Sequence, residues 1–125
     1  MINPSSQFQL TLGVNPGYFH NNEEPDPVGA VVKEWQYAAG EEYKVNGIYV
    51  AANVIPSVTV YAKEWGCPDA GEQTVQITGV CNTEFVKPAE WREAVTRVAF
   101  AVAKALQQKT VYLIFNSADF MYIQL

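Results

Sequence analysis

The chain has 125 residues, the size of one domain, and its 49% hydrophobic and 17% charged content belongs to a chain with a core, not to a disordered one. Eight basic and 13 acidic residues give a net charge of −5. An acidic chain without a basic stripe suits nucleic acid poorly, because phosphate contacts dominate that affinity. No apolar run reaches the ~18 residues of a membrane span, and "MINPSSQFQL" lacks the basic and apolar regions of a secretion signal. Two cysteines do not make a disulfide scaffold. The expectation is a soluble, cytoplasmic protein that binds neither nucleic acid nor membrane.

The first element is "QFQLTLGV", residues 7–14, where Phe8, Leu10, Leu12 and Val14 alternate with Gln9, Thr11 and Gly13. That period of two is a half-buried strand. "NPGYFHNNEEPDP" follows and breaks every pattern with its prolines and asparagines. Asp26-Pro27 then reads as the cap and first residue of a helix, with Val28, Val31, Val32, Trp35 and Ala39 at helical spacing. Gly40 or the Asn46-Gly47 pair ends it.

Residues 48–62 are strand-rich, and Pro56 marks an edge, a bulge or a break within them. Residues 72–81 alternate again and should pair with 57–62 as a hairpin with a long loop. Pro88 opens a second helix that runs to about Gln107, with Trp91, Val95, Val98, Val102 and Leu106 as its apolar stripe. "TVYLIF" and "FMYIQL" are expected as two strands joined by the turn "NSAD". The order is β-α-β-β-α-β-β. This predicts a single α+β domain over 1–125, a two-layer sandwich with a mainly antiparallel sheet and two helices on one face. Its first six elements follow the ferredoxin-like order.

The candidate chemistry is sparse. Cys67 and Cys81 form no Cys-X-X-Cys unit, and an extended strand between them keeps them apart, so both are expected as free thiols. A cysteine nucleophile needs a base, and His20 is the single histidine. Glu64, Asp69 and Glu72 lie close together in sequence, as acid–base pairs often do, but a solvated acidic loop is the default reading. No metal-ligand spacing and no nucleotide motif occurs, so neither metal nor cofactor is expected.

The sequence therefore favours a non-enzymatic binding module that recognises a compact ligand or a protein partner through the 63–73 hairpin loop and the 15–26 loop. Trp65, Asp69, Glu72, Tyr18 and His20 are its candidate contacts, with aromatics for area and carboxylates for orientation. Two alternatives stand beside it. One is a small-substrate enzyme using Cys67 with His20, or the carboxylates Glu64, Asp69 and Glu72. The other is an acidic inhibitor or immunity-type protein that blocks a basic partner surface. Phe100 falls on the polar side of the second helix near Arg97 and Lys104, which predicts a homo-oligomeric or partner interface there.

Overall fold

The computed structural model describes residues 2–17 and 22–125. Its elements are β1 (Asn3–Gly13), α1 (Pro27–Asn46), β2 (Asn53–Thr59), a 3-10 turn (Lys63–Trp65), β3 (Glu72–Val80), α2 (Pro88–Ala105) and β4 (Leu113–Phe120). The four strands form one sheet in the order β2-β3-β1-β4, and each neighbouring pair is antiparallel. Both helices pack on one face. The result is the expected two-layer α+β sandwich, with the ferredoxin-like strand order.

The alternation of β1 sets the layers. Phe8, Leu10 and Leu12 are almost fully buried under the helices. Burial of each such side chain contributes about 1.5–3 kcal/mol. The Phe8 ring stacks on Trp35 of α1, centroids 5.7 Å apart, and tilts against Trp91 of α2 at 5.8 Å. Opposite Phe8 in the register stands Gly79, where a Cβ would lie 2.6 Å from the Phe8 ring and 2.7 Å from the Ala51 carbonyl. A glycine in this strand is what lets the three rings meet. Trp35 donates its indole N–H to the Val50 carbonyl at 3.0 Å, so its polar edge is satisfied.

The helix ends follow the sequence signals. Asp26 accepts from the Gly29 N–H at 3.0 Å, Pro27 takes the first turn, and Gly47 closes α1 in the left-handed region at φ 75°. In α2 the stripe is wider than the bulky residues alone suggest. Ala94, Ala99 and Ala103 join Trp91, Val95, Val98 and Val102 in the core, and small side chains allow the close approach of α1. Glu42 is buried between the helices. It accepts from Arg97 Nε at 2.9 Å and Nη2 at 2.8 Å, and from Asn46 at 2.7 Å. The Arg97 hydrogen bonds hold its carboxyl below the usual carboxylate range, against the opposing effect of burial.

Of the three options at Pro56, the structure takes the edge: β2 is an unbroken edge strand, where a missing donor can face outward. One strand expectation changes. At the C-terminus, "NSAD" is not a turn but the middle of β4, and residues 121–125 form no further strand. The cause is that β1 begins at Asn3. Its polar start supplies partners for the end of β4, pairing Ser6 with Ser117 and Pro4 with Asp119. Ser5 and Ser6 are buried there, and the Ser5 hydroxyl donates to the Cys81 carbonyl at 2.7 Å. Hydroxyls that bond locally replace the apolar alternation at this end of the strand.

Candidate active site

Period-two alternation puts Thr11 and Gly13 of β1 on the face that the helices leave open. The register brings Thr74 beside Gly13, and Glu72 beside Thr59. A cavity of about 230 Å³ opens at this end of the sheet, lined by these residues with Tyr61 and the segment Gln108–Tyr112. Strand ends and the connections leaving them thus converge from four parts of the chain. A larger groove of about 420 Å³ runs between α1 and α2, but Glu42 and Arg97 in its wall are committed to each other.

Glu72 is the carboxylate of the cavity wall among the described residues. The Tyr61 hydroxyl donates to its Oε1 at 2.7 Å, within the range of charge-assisted hydrogen bonds. A hydroxyl relay runs along the neighbouring wall, where Thr74 is linked to Ser57 at 2.8 Å and to Thr59 at 2.9 Å. Gly13 forms the floor. A Cβ there would overlap both Glu72 Oε2 and Gln108 Oε1. Gln108 follows the end of α2 and donates Nε2 to the carbonyls of Asn15 at 3.0 Å and Leu106 at 3.1 Å. Those two acceptors fix the orientation of its amide.

The loops are built to hold this arrangement. Asn15 accepts from the N–H groups of Glu23 and Glu24 and donates to Gln73 at 2.9 Å. Asn22 accepts from the Gln73 N–H at 3.0 Å and donates to the Gly71 carbonyl. The first loop is therefore clipped onto the start of β3, next to Glu72. Cys67 serves the same end. Its sulfur accepts from the Tyr61 N–H at 3.5 Å and lies near the Pro68 carbonyl, so the buried thiol braces the turn that carries Tyr61.

Of the residues expected from sequence that the structure describes, Glu72 alone lines the cavity. Trp65 is 71% exposed on the 3-10 turn and lies outside it. Asp69 is also outside, paired with Lys63 at 2.7 Å on the surface, which draws its carboxyl below the ordinary range. Glu64 is exposed. Tyr18 and His20 lie outside the described residues. Cys81 is buried in the core, where desolvation pushes its thiol up. Both cysteines are unbonded. Arg97 is paired with Glu42 within the chain, while Phe100 and Lys104 are exposed on α2. The sequence reading passed over Tyr61, Gln108 and Gly13. Gly13 carried a signal, since a glycine within an alternating strand marks a close approach.

The SAM lyase family model matches residues 3–124. The chain belongs to the SAM lyase family. Two solved structures share its fold. One is a phage SAM lyase in the apo state, at 13% identity and TM-score 0.63, with 98% of this chain and 93% of that chain covered. The other is a phage SAM lyase in complex with S-methyl-5'-thioadenosine, at 14% identity and TM-score 0.58, covering 94% and 90%. No curated protein sequence matches this SAM lyase family member. Family membership overturns the reading of a non-enzymatic binding module. That reading rested on an acidic, aromatic loop with no recognisable catalytic motif. The findings favour the small-substrate enzyme instead. Among the described residues, no helix is long and apolar enough to cross a membrane.

Proposed function

We propose that this protein cleaves S-adenosylmethionine at the cavity over Gly13, releasing S-methyl-5'-thioadenosine. Support comes from the family match and from one observation above all. The cavity holds a carboxylate, Glu72, whose position is fixed by the Tyr61 hydroxyl. The substrate is a sulfonium with an α-ammonium group, so a single fixed anion suits it electrostatically.

A lyase breaks the bond between sulfur and Cγ of the methionyl chain without water. The electron pair of that bond goes to sulfur, and the sulfonium becomes a neutral thioether. The four-carbon fragment is completed by its own carboxylate, whose oxygen bonds to Cγ as sulfur departs. The products are the thioadenosine and a five-membered lactone that keeps the ammonium. Nucleophile and leaving group belong to one molecule, so the protein's work is to hold the chain folded for in-line attack. The positive charge at sulfur disappears in this step. Glu72 anchors a substrate of net charge +1 from a wall that also holds hydroxyls and Lys109, with no second anion at sulfur among the described residues to favour the ground state. The substrate is made and used inside cells, which fits the cytoplasmic placement expected from the sequence.

The test is to incubate purified protein with S-adenosylmethionine and follow the thioadenosine by chromatography and the four-carbon product by NMR. Lactone and the isomeric vinylglycine have the same mass, so NMR is needed to separate intramolecular displacement from β-proton elimination. Glu72→Gln should lower kcat/KM by about 100-fold or more, at unchanged melting temperature. Thioadenosine formation no faster than in a protein-free control would reject the proposal.

A further inference from the structure

Three observations meet above Gly13. Glu72 Oε1 is engaged by the Tyr61 hydroxyl, which leaves Oε2 as the oxygen turned toward Gly13. The Gln108 amide is oriented by two backbone carbonyls that take its Nε2, so Oε1 must be the atom facing the same point. A Cβ at Gly13 would overlap Oε2 of one and stand 2.6 Å from Oε1 of the other. Two acceptor oxygens, one charged and one neutral, thus converge on one small volume in the cavity wall. Among the described residues no donor is hydrogen-bonded to either atom.

We propose that Glu72 Oε2 and Gln108 Oε1 form a subsite for the α-ammonium of the substrate, with Gln108 as the residue that makes it specific for an amino acid rather than for any nucleoside. This rests on the functional reading above and names where its amino group goes. Two facing acceptors require a donor with more than one N–H, and an ammonium has three. One ammonium nitrogen reaches both oxygens with N–H···O bonds of ~2.9 Å. The sulfonium carries no N–H and cannot fill this role. A neutral amino group on the adenine would gain less from Glu72, since charge-assisted bonds are about twice as strong.

The assignment has a consequence for turnover. The thioadenosine product has lost the ammonium, so the subsite holds the substrate but not the nucleoside product. It helps to bind one and not to retain the other. Gly13 belongs to the device because any side chain there would drive the two oxygens apart.

The test is titration calorimetry with two unreactive nucleosides. S-adenosylhomocysteine carries the ammonium, and S-methyl-5'-thioadenosine does not. Gln108→Leu should weaken S-adenosylhomocysteine by about 10-fold or more and leave the thioadenosine within about 2-fold. Gly13→Ala should discriminate in the same direction, which guards against a local folding defect specific to the Gln108 variant. In turnover, Gln108→Leu should raise KM more than it lowers kcat. Equal losses for both nucleosides, or no loss for either, would overturn the subsite. If wild type cleaves S-adenosylmethionine and Gln108→Leu keeps full affinity for S-adenosylhomocysteine, the subsite alone is wrong. If wild type binds neither nucleoside, the functional reading falls with it.

Discussion

Tyr61→Phe isolates one atom of the proposed site. It removes the hydroxyl that donates to Glu72 at 2.7 Å and keeps the ring in place. A hydrogen bond to a charged group contributes about 1.5–3 kcal/mol when water cannot replace it. Tyr61 and Glu72 are both half-buried, so water recovers part of that. The expected net cost is about 1–2 kcal/mol, a loss of roughly 5–30-fold in kcat/KM if the bond matters fully in the transition state. The assay is initial-rate thioadenosine release over a range of substrate concentrations, with a thermal melt of the same samples. The melting temperature should hardly move, because Tyr61 lies beyond the end of an edge strand and outside the core. A double-mutant cycle sharpens the result. In a Glu72→Gln background, Tyr61→Phe should cost little, since its charged partner is gone. Wild-type kcat/KM in the single mutant, or a full additive loss in the double mutant, would refute the view that Tyr61 acts through Glu72.

Two further outcomes concern the scaffold. Gly79→Ala should destabilise the fold by about 1–3 kcal/mol, because the new methyl meets both the Phe8 ring and the rigid Ala51 carbonyl. Denaturant unfolding measures it, and an unchanged midpoint would mean the three-ring stack has more room than its geometry suggests. Glu42 is held below the usual carboxylate range by Arg97, so its folded-state pKa lies under its unfolded one. The pair's stabilisation is therefore present above about pH 4.3 and lost as the pH falls through the lower folded value. Acid titration should show a weaker pH dependence in Glu42→Gln than in wild type over that range; identical curves would remove Glu42 from the account.

Much of the fold was legible because its periodic elements are driven by burial. The β1 alternation and the α2 stripe each contain enough bulky apolar residues to specify their buried face. What was missed lies where polar groups take over that role. Residues 3–6 carry no alternation, yet they extend β1, because the Ser5 and Ser6 hydroxyls bond to neighbouring backbone carbonyls instead of needing a core. With those four residues hidden, residues 117–119 had no visible partner and "NSAD" read as a turn. Arg97 was placed on an outward face by helix geometry, whereas its long side chain reaches across to α1. Glu42 continues the stripe of Val31, Trp35 and Ala39 at helical spacing, but a carboxylate at that position does not read as buried until its Arg97 partner is placed.

The site escaped for a related reason: its residues are distributed and individually ordinary. Gly13, Tyr61, Glu72 and Gln108 come from the end of one strand, a turn after the second, the start of the third and the exit of a helix. No spacing in the chain links them, so no motif could. Glu72 was named among the contacts, but as one acid of a loop whose exposed Trp65 looked like the anchor. The proposed site rests on Glu72 instead, because strand register, not loop composition, decides which side chains share a cavity. Thr59 pairs with Glu72, and Gly13 with Thr74. Those pairings bring the acid, its hydroxyl neighbours and the glycine floor together on the open face. Proposed chemistry of this kind leaves little trace in sequence, since the substrate supplies both its nucleophile and its leaving group. Such a site needs only fixed oxygens at the right separation, and a glycine, a glutamine and a tyrosine can set them.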